Sequence, residues 1–310
     1  MFEELISVVV PVYNSEASLP LLIERLGPII RDFRSAEVIL VNDGSRDGSW
    51  AVVEDLVARF GFVRGIDLMR NFGQHNALLC GIRAARGSVI VTIDDDLQNP
   101  PEEIPALLTK LREGYDVVYG TPQTEAHGFV RDLASHITKF ALQSAMGAKT
   151  ARNVSAFRVF RTHLRGAFET YRGPFVSIDV LLTWATTRFA AIPVKHEPRQ
   201  LGQSGYTLGR LIAHAMNMMT GFSTMPLQLA SIVGFTFTLF GTFTLAFVLI
   251  QYLAHGVAVP GFVFLASLIS IFSGAQLFAL GVIGEYLSRM HFRMMERPPY
   301  AVRTTTNDFN

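Results

Sequence analysis

From Leu5 to about Gly120, short β-branched runs alternate with stretches in which apolar residues recur every three or four positions. Such alternation predicts a mostly parallel sheet covered on both faces by helices. The candidate strands are Ile6 to Val12, Glu37 to Asn42, Val63 to Leu68, Val89 to Ile93 and Asp116 to Tyr119. Helical spacing marks Trp50 to Phe60, Gln74 to Ala85 and Glu102 to Glu113. A sheet of this kind binds ligands beyond the carboxyl ends of its strands, and polar residues gather at those ends in this chain. From Thr121 to Gln200 the pattern is more broken. Helical runs at Val130 to Met146 and Ser177 to Thr186, and a short strand at Ala191 to Lys195, are expected to complete the same domain.

Farther along, Tyr206 to Ser223 sets Arg210, His214 and Asn217 among Leu, Ile, Met and Phe, the pattern of a helix lying flat on a membrane surface. Two apolar segments follow, Leu227 to Ile250 and Phe262 to Leu287, and neither contains Lys or Arg. Each is roughly 25 residues, enough to cross about 30 Å of hydrocarbon with some tilt. The link Gln251 to Gly261 also lacks Lys and Arg, whereas Arg289, Arg293, Arg297 and Arg303 follow the second segment. The positive-inside rule then puts the N-terminal domain and the C-terminus in the cytosol, in a multi-pass protein of the inner membrane. Met1 to Leu5 shows no basic region, apolar core or cleavage site, so the N-terminal domain is expected to stay cytosolic. Glu285 is expected to reach the interface or pair with Arg289. Gly274, Gly281 and Gly284 are expected to permit close helix contact between spans or between subunits. The division that results is an α/β domain over 1–205, an interfacial helix over 206–224, a two-helix anchor over 225–288 and a cytosolic tail over 289–310.

The 310 residues, 49% of them hydrophobic, suffice for one sizeable α/β domain plus a membrane part. A net charge of +1 without a basic, aromatic-interleaved stripe argues against nucleic acid as a partner. The single cysteine, Cys80, excludes an internal disulfide framework and a cysteine-rich zinc site, and between Leu79 and Gly81 it reads as a small buried residue.

Three strand ends carry candidate chemistry. The first strand ends in Pro11, Val12, Tyr13 and Asn14, which offers a turn, a ring and an amide. The second ends in Asn42-Asp43-Gly44-Ser45, where a glycine turn holds a carboxylate able to accept hydrogen bonds from a base or ribose, although the same residues also make ordinary turns and caps. After Ile93 stand three consecutive carboxylates, Asp94, Asp95 and Asp96, followed by Leu97 and Gln98. Adjacent anions repel one another, a conflict rarely accepted without a cation. Strand alternation would point Asp94 and Asp96 to one side with Gln98 beyond them, a set of hard oxygen ligands suited to Mg2+ or Mn2+ bound jointly with phosphates.

In this order the motifs resemble the family-two glycosyltransferases of GT-A fold, a Rossmann-like α/β architecture, and within them the polyprenyl-phosphate branch that includes dolichyl-phosphate mannose synthases. The resemblance spans nearly the whole chain: Arg70-Asn71-Phe72-Gly73-Gln74-His75-Asn76, Asp94 to Pro105, Gly114 to Val118, Arg199 to Tyr206 and Gly281 to Tyr286. The run Asp96-Leu97-Gln98-Asn99-Pro100-Pro101-Glu102-Glu103-Ile104-Pro105 looks particularly like the undecaprenyl-phosphate 4-deoxy-4-formamido-L-arabinose transferases. The resemblance implies that Pro11, Tyr13, Asn14 and Asp43 line a nucleoside pocket, with Asp94, Asp95 and Asp96 contacting the nucleotide sugar. It further implies that Asp94, Asp96 and Gln98 engage a divalent metal and the donor diphosphate, that Arg131 and Ser135 serve an acceptor phosphate, and that Arg199 and Ser204 belong to a loop closing over the phosphates. A homotetramer is implied too. Ser15-Glu16 in place of a Glu directly after Tyr-Asn, Asn42 in place of the first Asp of a pair, and Asn153 to Arg158 depart from the family pattern.

The expected reaction is inverting transfer from a nucleotide sugar, UDP-linked by the arabinose-type resemblance, to a polyprenyl phosphate. That acceptor needs no strong base, because a phosphate monoester with a second pKa near about 6 is already largely anionic at neutral pH. Arg70 and His75 are expected either to touch ligand or to pack, and Asp179 either to act on the acceptor side or to cap a helix. A processive polysaccharide synthase and a non-catalytic nucleotide-sugar-binding scaffold are the alternatives.

Overall fold

In a computed structural model of the chain, residues 2–122, 154–173, 176–197, 224–255 and 261–306 are described. Strand β1 (Phe2–Val12) leads into helix α1 (Leu19–Arg31), then β2 (Phe33–Asn42), α2 (Ser49–Arg59), β3 (Val63–Leu68), α3 (Gln74–Ala84) and β4 (Val89–Thr92). A 3-10 turn at Pro101–Glu103 opens α4 (Ile104–Arg112), followed by β5 (Val117–Pro122). Beyond the next described stretch come β6 (Arg158–Arg161), α5 (Ile178–Ala185) and β7 (Phe189–Val194). Two long helices, α6 (Met225–His255) and α7 (Phe262–Met294), precede β8 (Val302–Thr306).

The eight strands form one sheet in the order β7-β5-β6-β4-β1-β2-β3-β8. Its centre, β4-β1-β2-β3, is parallel, while β6 and β8 run antiparallel to their neighbours. Alternation within β1 sends Val8, Val10 and Val12 to one face, against Leu22, Leu26 and Leu107, and Val9 to the other, against Leu78, Ile82 and Leu181. Strands covered on both faces are apolar throughout, which is why the parallel strands read as continuous runs in the sequence. Helix α1 was not among the predicted elements because Pro28 interrupts its pattern. Burial of Leu19, Leu22, Ile23, Leu26, Ile29 and Ile30 outweighs the roughly 3 kcal/mol that an interior proline costs a helix.

Helices α6 and α7 exceed their expected spans at both ends or at the far end, and each contains a stretch long and apolar enough to cross a membrane: Met225–Ala254 at a mean hydropathy of 2.0 and Ile271–Met294 at 1.3. They meet where the Phe237 and Phe272 rings pack edge to face at 5.7 Å and where a Cβ on Gly241 would stand 2.9 Å from Phe272 Cζ. Among the described residues a Cβ on Gly274, Gly281 or Gly284 would touch nothing within 4 Å, so within one chain the contact between α6 and α7 is made at Gly241 instead. Glu285 does accept from Arg289, at 2.6 and 3.0 Å, within one helical turn. Within the residues assigned to the tail, Val302–Thr306 returns to the sheet and pairs with β3. The proposed interfacial helix, Tyr206 to Ser223, and the run Val130 to Met146 lie outside the described residues.

Candidate active site

Strands β2 and β3 lie on one side of β1 and β4 on the other, so the order of the parallel strands reverses at the β1–β4 junction. The carboxyl ends of two strands that diverge in this way leave a crevice, the general location of ligands in open α/β sheets. Pro11 is buried inside β1 opposite Val41, while Tyr13 and Asn14 stand exposed past the strand's end. Asn14 takes a left-handed backbone (φ 54°), and its amide locks the neighbouring tip: its N–H donates to Ser45 Oγ at 3.0 Å and its Oδ1 accepts from Arg46 N at 2.8 Å.

At the end of β2, Asp43 turns inward and is only 2% exposed. Its two oxygens accept from the backbone N–H groups of Phe72 and Gly73 at 2.7 and 2.8 Å, so it holds the β3–α3 loop. Burial pushes its carboxyl above the usual range, against the pull of those two donors. Gly44 (φ 62°) lets this loop approach: a Cβ there would lie 2.5 Å from the Arg70 carbonyl carbon and the Asn71 nitrogen. Arg70 itself stacks over the Phe72 ring at 4.3 Å, and His75 Nδ1 accepts from Ile178 N at 3.4 Å, joining the start of α3 to that of α5. Glu16 accepts from Gly48 N at 2.9 Å, at the start of α2.

Across the crevice, the three carboxylates after β4 face three different partners. Asp94 Oδ1 accepts from Gln74 Nε2 at 2.7 Å, Asp95 Oδ2 from Tyr13 N at 3.3 Å and from Ser15 Oγ, and Asp96 Oδ1 from Gln98 N at 3.1 Å. Alternation fails beyond Asp94 because the chain turns at Asp95 and Asp96, and Leu97 takes a left-handed backbone (φ 59°) to bury its side chain in the core. Gln98 is thus engaged through its backbone, its carbonyl accepting from Glu197 N at 2.9 Å. Desolvation first, then Asp96 and Asp95, pushes the Asp94 carboxyl up to about 7. Desolvation likewise pushes Asp95 up to about 6 despite its bonds from Ser15 and Tyr13.

Beneath Asp94 lies a buried polar network that the sequence pattern did not single out. Arg158, 1% exposed, pairs with Asp179, 5% exposed, and its Nε donates to Thr92 Oγ1 at 3.0 Å. Tyr119 OH donates to the same Asp179 at 3.1 Å. The cap reading of Asp179 is therefore corrected: Ser177 holds the N-cap position of α5, and Asp179 neutralises a guanidinium inside the sheet. The legible signal was an arginine flanked by Phe157, Val159 and Phe160, since an unpaired charge is not tolerated in such surroundings.

The pattern of Glycosyl transferase family 2 matches residues 7–168, just over half the chain and the stretch that carries all of these strand ends. The chain belongs to glycosyl transferase family 2. It is 37% identical over 304 residues to the undecaprenyl-phosphate 4-deoxy-4-formamido-L-arabinose transferase of Pseudomonas paraeruginosa (strain DSM 24068 / PA7), covering 96% of this chain and 89% of that one. It is 36% identical over 303 residues to the transferase of the same name from Aeromonas hydrophila subsp. hydrophila, covering 96% and 93%. Among solved structures it is similar to glucosyl-3-phosphoglycerate synthase from Mycobacterium tuberculosis in complex with Mn2+, uridine-diphosphate and phosphoglyceric acid, with a TM-score of 0.51, 22% identity, and 70% and 76% of the two chains covered. That last likeness is one of fold.

As a family-2 glycosyltransferase the chain has its β1, β2 and β4 ends where the motifs led one to expect them. Arg131, Ser135, Arg199 and Ser204 lie outside the described residues. Among the described residues no three His, Cys, Asp or Glu side chains converge closely enough to hold a metal ion by themselves. Asp94 and Asp96 still fit a hard divalent cation shared with substrate phosphates, because such ions take one or two carboxylates and complete their shell with phosphate and water. Desolvation, with Asp96 and Asp95 alongside, pushes Asp94 up to about 7, and a bound cation would favour its charged form.

Proposed function

We propose that this glycosyltransferase moves a sugar from a UDP-linked donor to a polyprenyl phosphate at the cytosolic membrane face, with inversion at the anomeric carbon. The observation that carries the reading is the Asp94–Asp96 loop facing Tyr13 and Asn14 across the β1–β4 crevice, in a chain 36–37% identical over nearly its full length to undecaprenyl-phosphate sugar transferases. An acceptor-phosphate oxygen attacks the anomeric carbon as the bond to the nucleoside diphosphate breaks, and the nucleotide departs as the leaving group. No general base is required, since the acceptor is largely dianionic near neutral pH. Tyr13, Asn14 and Pro11 frame the nucleoside, and Asp43 supports them by fixing the loop at Phe72 and Gly73. Asp94 and Asp96 hold a divalent cation, Mg2+ or Mn2+, which when bound neutralises the developing charge on the leaving diphosphate. Arg131 with Ser135, and Arg199 with Ser204, are assigned to the acceptor phosphate and to closure over the donor.

Helices α6 and α7 supply the membrane anchor. Two crossings return the chain to its starting side, which agrees with β8 pairing into the same sheet as β1 to β4. Arg289 and Arg293 at the end of α7, with Arg297 and Arg303 beyond it, favour the cytosol for that side by the positive-inside rule. A homotetramer is proposed on the family resemblance. The test is a screen of UDP- and GDP-sugars with polyprenyl phosphate and Mg2+ or Mn2+, using full-length protein in lipid. Lipid-phosphate-linked sugar from one UDP-sugar is expected, and Asp96→Ala should abolish it while the protein still fractionates with membranes. A free glycan product, or full activity in Asp96→Ala, contradicts the reading.

A further inference from the structure

Strand β8 closes the β3 edge with one irregularity. Thr304 pairs with Asp67 and Val302 with Leu68, so Arg303 is the extra residue of a bulge. Bulges re-aim side chains, and here the guanidinium reaches inward: Nη1 donates to Asp67 Oδ2 at 3.2 Å and Nη2 to the Met69 carbonyl at 3.0 Å. Asp67 is a carboxylate only 2% exposed at the end of β3. Its other oxygen accepts from Asn42 Nδ2 at 2.6 Å. The Asn42 carbonyl oxygen in turn accepts from Ser45 Oγ at 2.6 Å, and Ser45 Oγ accepts from Asn14 N at 3.0 Å. Each link has a single chemical sense. Asn42 must donate to a carboxylate and accept from a hydroxyl, which an Asp at the same position would not do beside Asp67.

We propose that Arg303 is a positioning residue for the nucleotide half of the site, acting through Asp67, Asn42 and Ser45 on the backbone of Asn14. The inference rests on the nucleotide-sugar reading above and adds to it that the strand emerging from the membrane anchor shapes the donor pocket. With Arg303 removed, Asp67 keeps one donor for a buried charge, and the Asn42 amide loses the fixed partner that orients it. The Met69 carbonyl, at the start of the loop that Asp43 holds, also loses its bond from β8, leaving Met69 N–H on the Ala301 carbonyl at 2.9 Å. Arg303 is itself exposed, so its removal leaves the core intact.

The experiment uses full-length protein in lipid nanodiscs, with UDP and GDP as calorimetric probes and transfer kinetics alongside. Variants are Arg303→Ala, Arg303→Lys, Ser45→Ala and the double variant Arg303→Ala/Ser45→Ala. Arg303→Ala should weaken nucleoside diphosphate binding about 3- to 30-fold, the range that substitutions along a contact chain impose on a remote site. KM for the nucleotide sugar should rise and KM for the lipid stay unchanged. Arg303→Lys should recover part of the loss, and the double variant should lose less than the sum of the singles. Wild-type affinity in Arg303→Ala, or strictly additive losses, overturns the inference alone. A wild-type protein that binds neither nucleotide and transfers no sugar removes the donor reading and the inference with it.

Discussion

Replacing Asp179 by Ala is the sharpest test of how the sheet supports the crevice. Among the described residues, the substitution leaves the Arg158 guanidinium, 1% exposed, with Thr92 Oγ1 at 3.0 Å and the Ala156 carbonyl at 3.4 Å as hydrogen-bond partners. It also strips Tyr119 OH of its acceptor. Breaking a buried pair from one side costs about 3–5 kcal/mol, because the remaining charge stays desolvated. For a domain of some two hundred residues each kcal/mol lowers Tm by about 2–4 °C, so Asp179→Ala should unfold roughly 6–20 °C earlier. Intrinsic fluorescence of the detergent-solubilised chain suits the measurement, since Trp184 lies in α5 and packs edge-on against Tyr171 at 5.5 Å. The double variant Arg158→Met/Asp179→Leu removes both charges and should regain most of the loss, as apolar replacement of buried pairs is often neutral or better. A melting point for Asp179→Ala within about 2 °C of wild type, or a double variant no more stable than the single, refutes the argument.

Two further outcomes follow from the site. With chelator present, stability should fall as pH rises from about 4 to 8: Asp94, held at about 7 against an ordinary 3.8, binds its proton more tightly folded than unfolded, so its contribution is full below the unfolded value and lost as pH passes the folded one. That gap corresponds to at most ~4 kcal/mol, and Asp94's remaining contact with water reduces the expected effect to about 1–2 kcal/mol. Asp94→Asn should flatten the slope in thermal melts between pH 5 and 8, and a slope unchanged in that variant would contradict the assignment. Gly44→Ala should cost about 1–3 kcal/mol and weaken UDP binding, because its Cβ meets the Arg70–Asn71 backbone at 2.5 Å; calorimetry and melts that match wild type would show that the two loops do not need this contact.

The parallel strands and their helices were legible because burial on both faces writes itself into composition, and the candidate chemistry was legible because polar residues interrupt those runs at the tips. What escaped was what depends on three-dimensional partners. The hold of Asp43 on the backbone N–H groups of Phe72 and Gly73, about thirty residues away, is not written in its own motif. Asp179 looked like a cap because its partner Arg158 lies some twenty residues away on strand β6. The five residues Val302–Thr306 carry too little apolar pattern to read as a strand; their pairing comes from the open edge of β3, not from their own hydrophobicity. Alternation beyond Asp94 assumes an extended chain, and the left-handed Leu97 breaks that assumption.

The return of β8 to β3 also orders the protein's biogenesis. A ribosome makes β1 to β4 early, but the strand that closes their edge appears only after both long helices have left the exit tunnel. Until then β3 offers unpaired backbone groups along its outer side, the kind of edge that chaperones cover and neighbouring chains capture. A fragment ending before α6 would keep that edge open permanently and so tend to aggregate. Completion of the soluble domain is thereby tied to delivery of the hydrophobic hairpin, and a chain stalled ahead of insertion is an unfinished one.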